Sequence, residues 1–152
     1  MNELFFQYCP KMVVFNEGLD KVLLARRKGE QDYDDTFSFI GGKIETSDGG
    51  IINGIRREKN EEIGTDATIR IAPMPVFNAY FQKRDGSSMI LPHHICIYLG
   101  GNINLNDEYS EYQWVPLDEL KEFGPKIDTI EPAVDWAKRF IGQLTDNDFV
   151  EI

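Results

Sequence analysis

Apolar residues fall mostly in short strand-like runs, with helical spacing in two places. The runs KMVVF at 11–15 and KVLLARR at 21–27 flank Asn16-Glu17-Gly18, a turn-forming stretch, and predict a hairpin. TFSFI at 36–40 reads as another strand and runs into Gly41-Gly42, where the backbone is free to turn sharply or approach a ligand. Over 50–63 the isoleucines at 51, 52, 55 and 63 lie within an arc of roughly 120°, which predicts an amphipathic helix ended by Gly64. Strands follow at 67–71, 76–83 and 89–99, the last two joined at Asp85-Gly86-Ser87, with a short one at 113–115. Residues 117–123 suit a helical turn, and 131–144 a closing helix with Pro132 in its first turn. The tail at 145–152 is expected to fray, and ELFFQY at 3–8 to add an edge strand or a dimer contact. Strands, helix, strands, helix, with most strand pairs antiparallel, give an α+β class.

At 152 residues the chain holds one domain, 1–152, with 1–10 and 145–152 peripheral, and no repeat or linker divides it. A net charge of −10 opposes attraction to long nucleic acid or an anionic membrane, and no stretch is apolar enough to span a bilayer. The opening MNELFFQYCPKM lacks the basic and apolar regions of a signal peptide. Cys9 and Cys96 have no partner at metal or redox spacing, so buried thiols and a cytoplasmic location are expected. A small anionic substrate stays compatible with the charge, because a local arginine pair or a bound divalent cation reverses the field inside one cleft.

Candidate chemistry concentrates on the first helix. Glu58, Glu61 and Glu62 span about 100° on one flank of the isoleucine stripe, at (i, i+3) and (i, i+4) spacing. Like charges so placed cost roughly 0.2–0.5 kcal/mol per pair. Two readings stand: a solvated acidic face, or a cradle for a hard cation such as Mg2+, which takes oxygen ligands. A strand, a glycine pair, a tight loop and the helix arrive in sequence, which brings loop backbone close to the carboxylates.

The stretch GGKIETSDGGIINGIRREKNEEIG at 41–64 resembles the Nudix box, G-x5-E-x7-R-E-U-x-E-E-x-G-U with U a bulky aliphatic residue. Gly42 matches its first glycine, and Arg57-Glu58, Glu61-Glu62 and Gly64 match its second half in register. TFSFIGGK and YQWVPLDEL are similar to the family's entering strand and its C-terminal strand-to-helix passage, so the likeness covers about residues 11–142. Three departures stand out. Fourteen residues separate Gly42 from Arg57 where the pattern has thirteen, Gly49 stands at the first motif glutamate beside Asp48, and Lys59 and Thr65 replace aliphatic residues. Lys59 is expected to snorkel from the apolar arc or to neutralise the acidic cluster.

The resemblance implies an α/β/α sandwich with a mixed, largely antiparallel sheet. It implies a divalent-metal-dependent hydrolase, using Mg2+ or Mn2+, that cleaves the pyrophosphate bond of a nucleoside diphosphate linked to another group. The physical logic agrees, since phosphoryl transfer is accelerated mainly by positioning and charge neutralisation. By the same likeness Glu58 and Glu62 are metal ligands, Glu61 is a ligand or orients one, and the Gly41 carbonyl is a backbone ligand. Arg57 would orient the glutamates by salt bridging. A catalytically weak Nudix-fold module that binds a nucleotide or nucleotide sugar is the alternative, motivated by Gly49 and the insertion.

The resemblance leaves the general base to a helix glutamate or to an acid of a later loop, and in NDEYSEYQW Glu111 is preferred to Asp107 and Glu108. Arg26 and Arg27 alternate along a strand, so at most one enters the cleft to grip a phosphate. Tyr33 and Phe37, with Phe77, Tyr80 and Phe81, offer either a stacking surface for a base or plain core. His93 and His94 also alternate, which predicts one buried and one exposed imidazole rather than a zinc site. Lys43 after Gly42 does not make a Walker loop, and no G-x-S-x-G elbow is present. The expected partner is therefore a small nucleotide derivative, and a homodimer is compatible with the N-terminal edge.

Overall fold

In β2 (Lys11–Phe15) and β3 (Lys21–Arg27) alternate side chains enter two different cores. Met12, Val14, Leu23 and Ala25 pack with Ile55 and Ile63 of α1 (Ile51–Ile63). Val13, Phe15, Val22 and Leu24 pack with Ile130, Ala133, Val134, Trp136 and Ala137 of α2 (Ile130–Ile141). Both faces of the sheet are thus covered, which explains why these strands read as continuous apolar runs. The result is an α/β/α sandwich. The computed structural model describes residues 3–152, so residues 1 and 2 of the peripheral N-terminal segment lie outside the described residues.

Among the described residues eight strands form one mixed sheet. Its centre is β6 (Ser88–Gly100), antiparallel to β5 (Thr68–Gln82) on one side. On its other side β6 runs parallel to β1 (Phe6–Tyr8) at Ser88 to Ile90 and to β2 at His93 to Ile97. Beyond β2 lies β3, antiparallel to it and to both β4 (Phe37–Ser38) and β7 (Tyr109–Pro116). Beyond β5 lies β8 (Val150–Glu151).

Several expectations need correction. The expected strands at 67–71 and 76–83 are one strand, β5, interrupted where residues 72–75 stand opposite the single Ile95; Pro73 and Pro75 carry no N–H for the ladder. The strand expected at 36–40 shrinks to two residues, with Ile40 making an isolated bridge to Met12. The tail does not fray: β8 pairs with Arg70 and Ile71, and Ile152 is buried. Neither histidine is exposed, because β6 is covered on both faces; His93 and His94 are at 0% and 2%. The N-terminal edge strand is present as β1. Within α1, Ile55 and Ile63 are buried and Ile51 is exposed at the helix start. Lys59 is buried in the stripe and neither reaches solvent nor pairs with the glutamates; its Nζ donates to the carbonyls of Ala67 (2.6 Å) and Gly64 (3.4 Å) just past the helix end.

Candidate active site

The loop between β4 and α1 is held by contacts that only glycine permits. Gly41 has φ +140°, and a Cβ there would run into the Pro10 carbonyl; at Gly42 a Cβ would overlap the Glu58 carboxyl group. Glu58 is therefore packed directly on the glycine turn. The inserted residue is absorbed by a 3-10 turn, Thr46–Asp48, closed by the Glu45 N–H donating to Asp48 (2.7 Å) and followed by Gly49 at φ +73°. That turn delivers Asp48 to Arg57, whose Nε and NH2 groups donate to its two oxygens at 2.7 and 3.0 Å. The arginine beside it holds the Asp48 carboxyl below the usual range. Arg57 also donates to the Lys43 carbonyl (2.8 Å), to Glu58 (2.9 Å) and to Glu61 (3.3 Å), so it ties loop to helix and orients both glutamates.

Glu62 is the buried member of the acidic trio. Its Oε2 accepts the Gly41 N–H at 2.8 Å and the Tyr109 hydroxyl at 3.1 Å. Burial pushes its pKa up to about 8, against the pull of the Lys11 charge and with a further push from Glu108 and Glu58. Burial likewise raises Glu58, offset in part by Arg57. Glu108 acts on both, so three carboxylates share one electrostatic neighbourhood.

That neighbourhood opens into a cavity of about 560 Å3, lined by Glu58, Glu62, Glu108, Gly41 and Gly42 on the acidic side. Four cationic side chains, Lys11, Arg27, Lys43 and Lys83, line it too. Lys11 Nζ donates to the Gly41 carbonyl at 3.0 Å, the oxygen expected to serve a metal. Glu108 is placed by Asn106: the Asn106 amide donates to the Glu62 carbonyl (3.1 Å), its Oδ1 accepts the Glu108 N–H (3.0 Å), and its Nδ2 donates to the Glu108 carboxylate (2.8 Å).

Other expected residues lie elsewhere. Glu61 does not line the cavity; its carboxylate is largely exposed and faces Arg57. Glu111, preferred as the base, does not line it either, because its place in β7 opposite Arg26 aims it at Gln113 (2.9 Å) and Arg26 (3.7 Å). Glu108 stands in the cavity instead. Of the two arginines only Arg27 lines the cavity, with a buried Nε that has no hydrogen-bond partner among the described residues; Arg26 is held by Asp35 at 2.8 Å. Tyr33 lines it and lies against Phe81, ring centroids 5.4 Å apart. Phe37 is core, buried against Phe123 and under the Arg26 guanidinium, because β4 turns it toward α2. Sequence reasoning missed Lys11, Tyr109 and Asp48's grip on Arg57. The Asn106-x-Glu108 spacing, an Asx-turn signature, was the one local sign that favoured Glu108.

Among the described residues no three acidic, histidine or cysteine side chains already converge as a ligand set. The donors nevertheless fit a hard cation: all are oxygens, and the buried Glu62 carboxylate needs a positive neighbour to ionise at neutral pH. No helix among the described residues is long and apolar enough to cross a membrane.

The family model for the NUDIX domain matches residues 10–137. In fold the chain is similar to a MutT protein from Methanosarcina mazei Go1, at 22% identity, TM-score 0.73, covering 91% of this chain and 97% of that one. It is similar to an Ap4A hydrolase of C. elegans, at 12% identity, TM-score 0.71, covering 91% and 99%. It is similar, too, to the NUDIX domain of Shewanella oneidensis NrtR, solved with ADP ribose, at 15% identity, TM-score 0.67, covering 94% and 91%. No curated protein is significantly similar to it in sequence.

Proposed function

The chain belongs to the NUDIX domain family and is a pyrophosphohydrolase of that type; from that premise we propose that it cleaves the pyrophosphate bond of a nucleoside diphosphate linked to another group, with Mg2+ or Mn2+ as cofactor. One observation carries this reading: Glu58, Glu62 and Glu108 line the same cavity as Lys11, Arg27, Lys43 and Lys83. Acidic and basic groups side by side suit a cation and the phosphates it accompanies. Neighbours named for Ap4A and for bound ADP ribose support a nucleotide-derived substrate.

Glu58, Glu62 and the Gly41 carbonyl would hold the cation, with Lys11 beside that carbonyl as a partner for the substrate phosphate. When bound, the cation neutralises phosphate charge and polarises the bond to be broken. Tyr109 and the Gly41 amide keep Glu62 aimed into the cavity. Arg57, anchored by Asp48, keeps Glu58 in place. Arg27 and Lys43 grip the diphosphate, and Glu108 accepts the proton of the attacking water. Against the binding-module alternative stands the loop that carries the insertion, which Asp48 pins to Arg57.

We also assign the chain to the cytoplasm, supported by two free buried thiols, and its exposed β1 edge with Phe5 and Phe6 to a homodimer contact. The decisive experiment measures phosphate release through a coupled phosphatase over nucleoside diphosphate derivatives and triphosphates, with Mg2+, with chelator, and in Glu62→Gln. Mg2+-dependent turnover that collapses in Glu62→Gln is expected. Turnover that survives the chelator, or none on any nucleotide derivative, overturns the proposal.

A further inference from the structure

Asp32 lies in the loop between β3 and β4, is nine-tenths buried, and lines the cavity. Among the described residues the one hydrogen bond to its carboxylate is a long one from the Arg84 N–H to Oδ1, 3.4 Å; the Arg84 guanidinium is mostly exposed and stands off at 3.8 Å. Oδ2 has no partner. A largely buried carboxylate that keeps one oxygen open to a cavity is placed to accept hydrogen bonds from something that enters it. The bland role, a staple between this loop and the β5–β6 turn through Arg84, uses Oδ1 alone and leaves the other oxygen to the cavity.

The surroundings define what that something is. Tyr33, next in the chain, lies half-exposed in the cavity with its ring tilted 42° to that of Phe81. Leu91 and Met89 continue the apolar wall behind Phe81. Aromatic and aliphatic faces beside an isolated acceptor suit a flat heterocycle that stacks on the wall and points N–H groups at the carboxylate. An ionised carboxylate accepts only, so it rejects an edge built of carbonyls. Guanine presents a ring N–H and an amino group side by side. Uracil presents one N–H between two carbonyls.

We propose that Asp32, with Tyr33 and Phe81, forms a base-recognition subsite that selects guanine over uracil in the nucleotide substrate. This rests on reading the cavity as a nucleotide site. A base edge held by a well-placed pair of hydrogen bonds is discriminated roughly tenfold or more.

The test is calorimetric binding of GDP and UDP to the full chain, with turnover of guanosine- and uridine-diphosphate derivatives measured in parallel. GDP is expected to bind roughly tenfold or more tightly than UDP. In Asp32→Asn that preference disappears through weaker GDP binding, while UDP affinity and thermal unfolding stay as in wild type. Equal affinities in wild type, or a preference that survives Asp32→Asn, overturn the subsite. Should Asp32→Asn not fold, Tyr33→Ala decides: weaker binding of both nucleotides supports the subsite, and unchanged binding overturns it. The two proposals fail separately. Selective GDP binding without turnover removes hydrolysis and leaves the subsite, whereas turnover without base preference does the reverse.

Discussion

Asp48 grips Arg57 through both carboxylate oxygens, at 2.7 and 3.0 Å, from a loop one residue longer than the Nudix pattern. The contact is possible because Gly54 has no side chain: a Cβ there would crowd Asp48 Oδ2 at 2.7 Å. Asp48, next to the position where the motif has its first glutamate, thereby anchors the loop to the helix. Asp48→Asn, which keeps the shape and removes the charge, is expected to lower kcat by about 10–100-fold, the range for losing a group that orients a ligand, with the fold intact by circular dichroism. Gly49→Glu, which restores the motif letter, is expected to destabilise by about 1–2 kcal/mol instead of helping, because a side chain is placed at φ +73°. Steady-state kinetics on Asp48→Asn check the first statement and urea unfolding of Gly49→Glu the second; an unchanged kcat, or a Gly49→Glu protein more stable than wild type, would refute them in turn.

Gly42→Ala separates packing from catalysis. The added Cβ meets only the far end of the Glu58 side chain, which swings away, so the fold survives while Glu58 leaves its position. A displacement of this size costs about 100-fold in rate. Gly41→Ala differs, since its Cβ meets Pro10 backbone and the residue sits at φ +140°. The expected pattern is near-native melting with lost activity for Gly42→Ala, and lost melting temperature for Gly41→Ala. Equal melting temperatures for the two would contradict it.

Legibility followed locality. The apolar runs MVVF and VLLA, the isoleucine stripe and the Arg57-Glu58, Glu61-Glu62 register are contiguous signals, and they placed the sheet, α1 and the acidic trio on its helix. What escaped depends on partners remote in sequence. His94 is buried because α1 covers one face of the sheet and α2 the other. Val150 forms a strand only because Ile71 offers an edge. Lys59 fits an apolar stripe only because the Ala67 carbonyl lies within 2.6 Å of its ammonium. Phe37 reads as either a stacking residue or core until β4 turns it toward Phe123.

Where Glu108 and Glu111 lie is a matter of register. A shift between Arg26 and Arg27 changes how β7 meets β3, so that Tyr109 stands opposite Arg27 and Glu111 opposite Arg26. Glu111 is thereby spent on surface contacts, while Asn106 fastens Glu108 to the carbonyl of Glu62. Glu108→Gln is expected to lower kcat by about 100-fold or more and to flatten the acidic limb of its pH profile. Glu111→Gln is expected to leave both unchanged, since exposed ion pairs contribute little. Steady-state kinetics on both variants decide, and the reverse ranking would return the base to Glu111.

His93 makes the fold sensitive to acid. Its ring lies edge-on to Phe39 and Phe77, 5.6 and 5.8 Å away, and its Nδ1 donates to the carbonyls of Leu91 (2.8 Å) and Phe77 (3.0 Å), which fixes the tautomer and leaves Nε2 buried without a partner. Burial depresses its pKa from 6.5 to about 4. Between those values the unfolded chain takes up a proton that the folded chain refuses. Stability from this residue is thus fully present above pH 6.5 and is lost as pH falls toward 4, by about 3 kcal/mol at most. Burial depresses His94 in the same direction. Glu62 works oppositely in the metal-free protein: raised from 4.5 to about 8, it favours the fold when neutral, and its share fades as pH rises through that window. Comparing wild type with His93→Gln cancels these other contributions. Urea unfolding in EDTA at pH 7 and pH 4 is expected to show wild type losing about 3 kcal/mol more than the variant over that interval. Parallel losses in the two proteins would mean that His93 is already protonated in the native core.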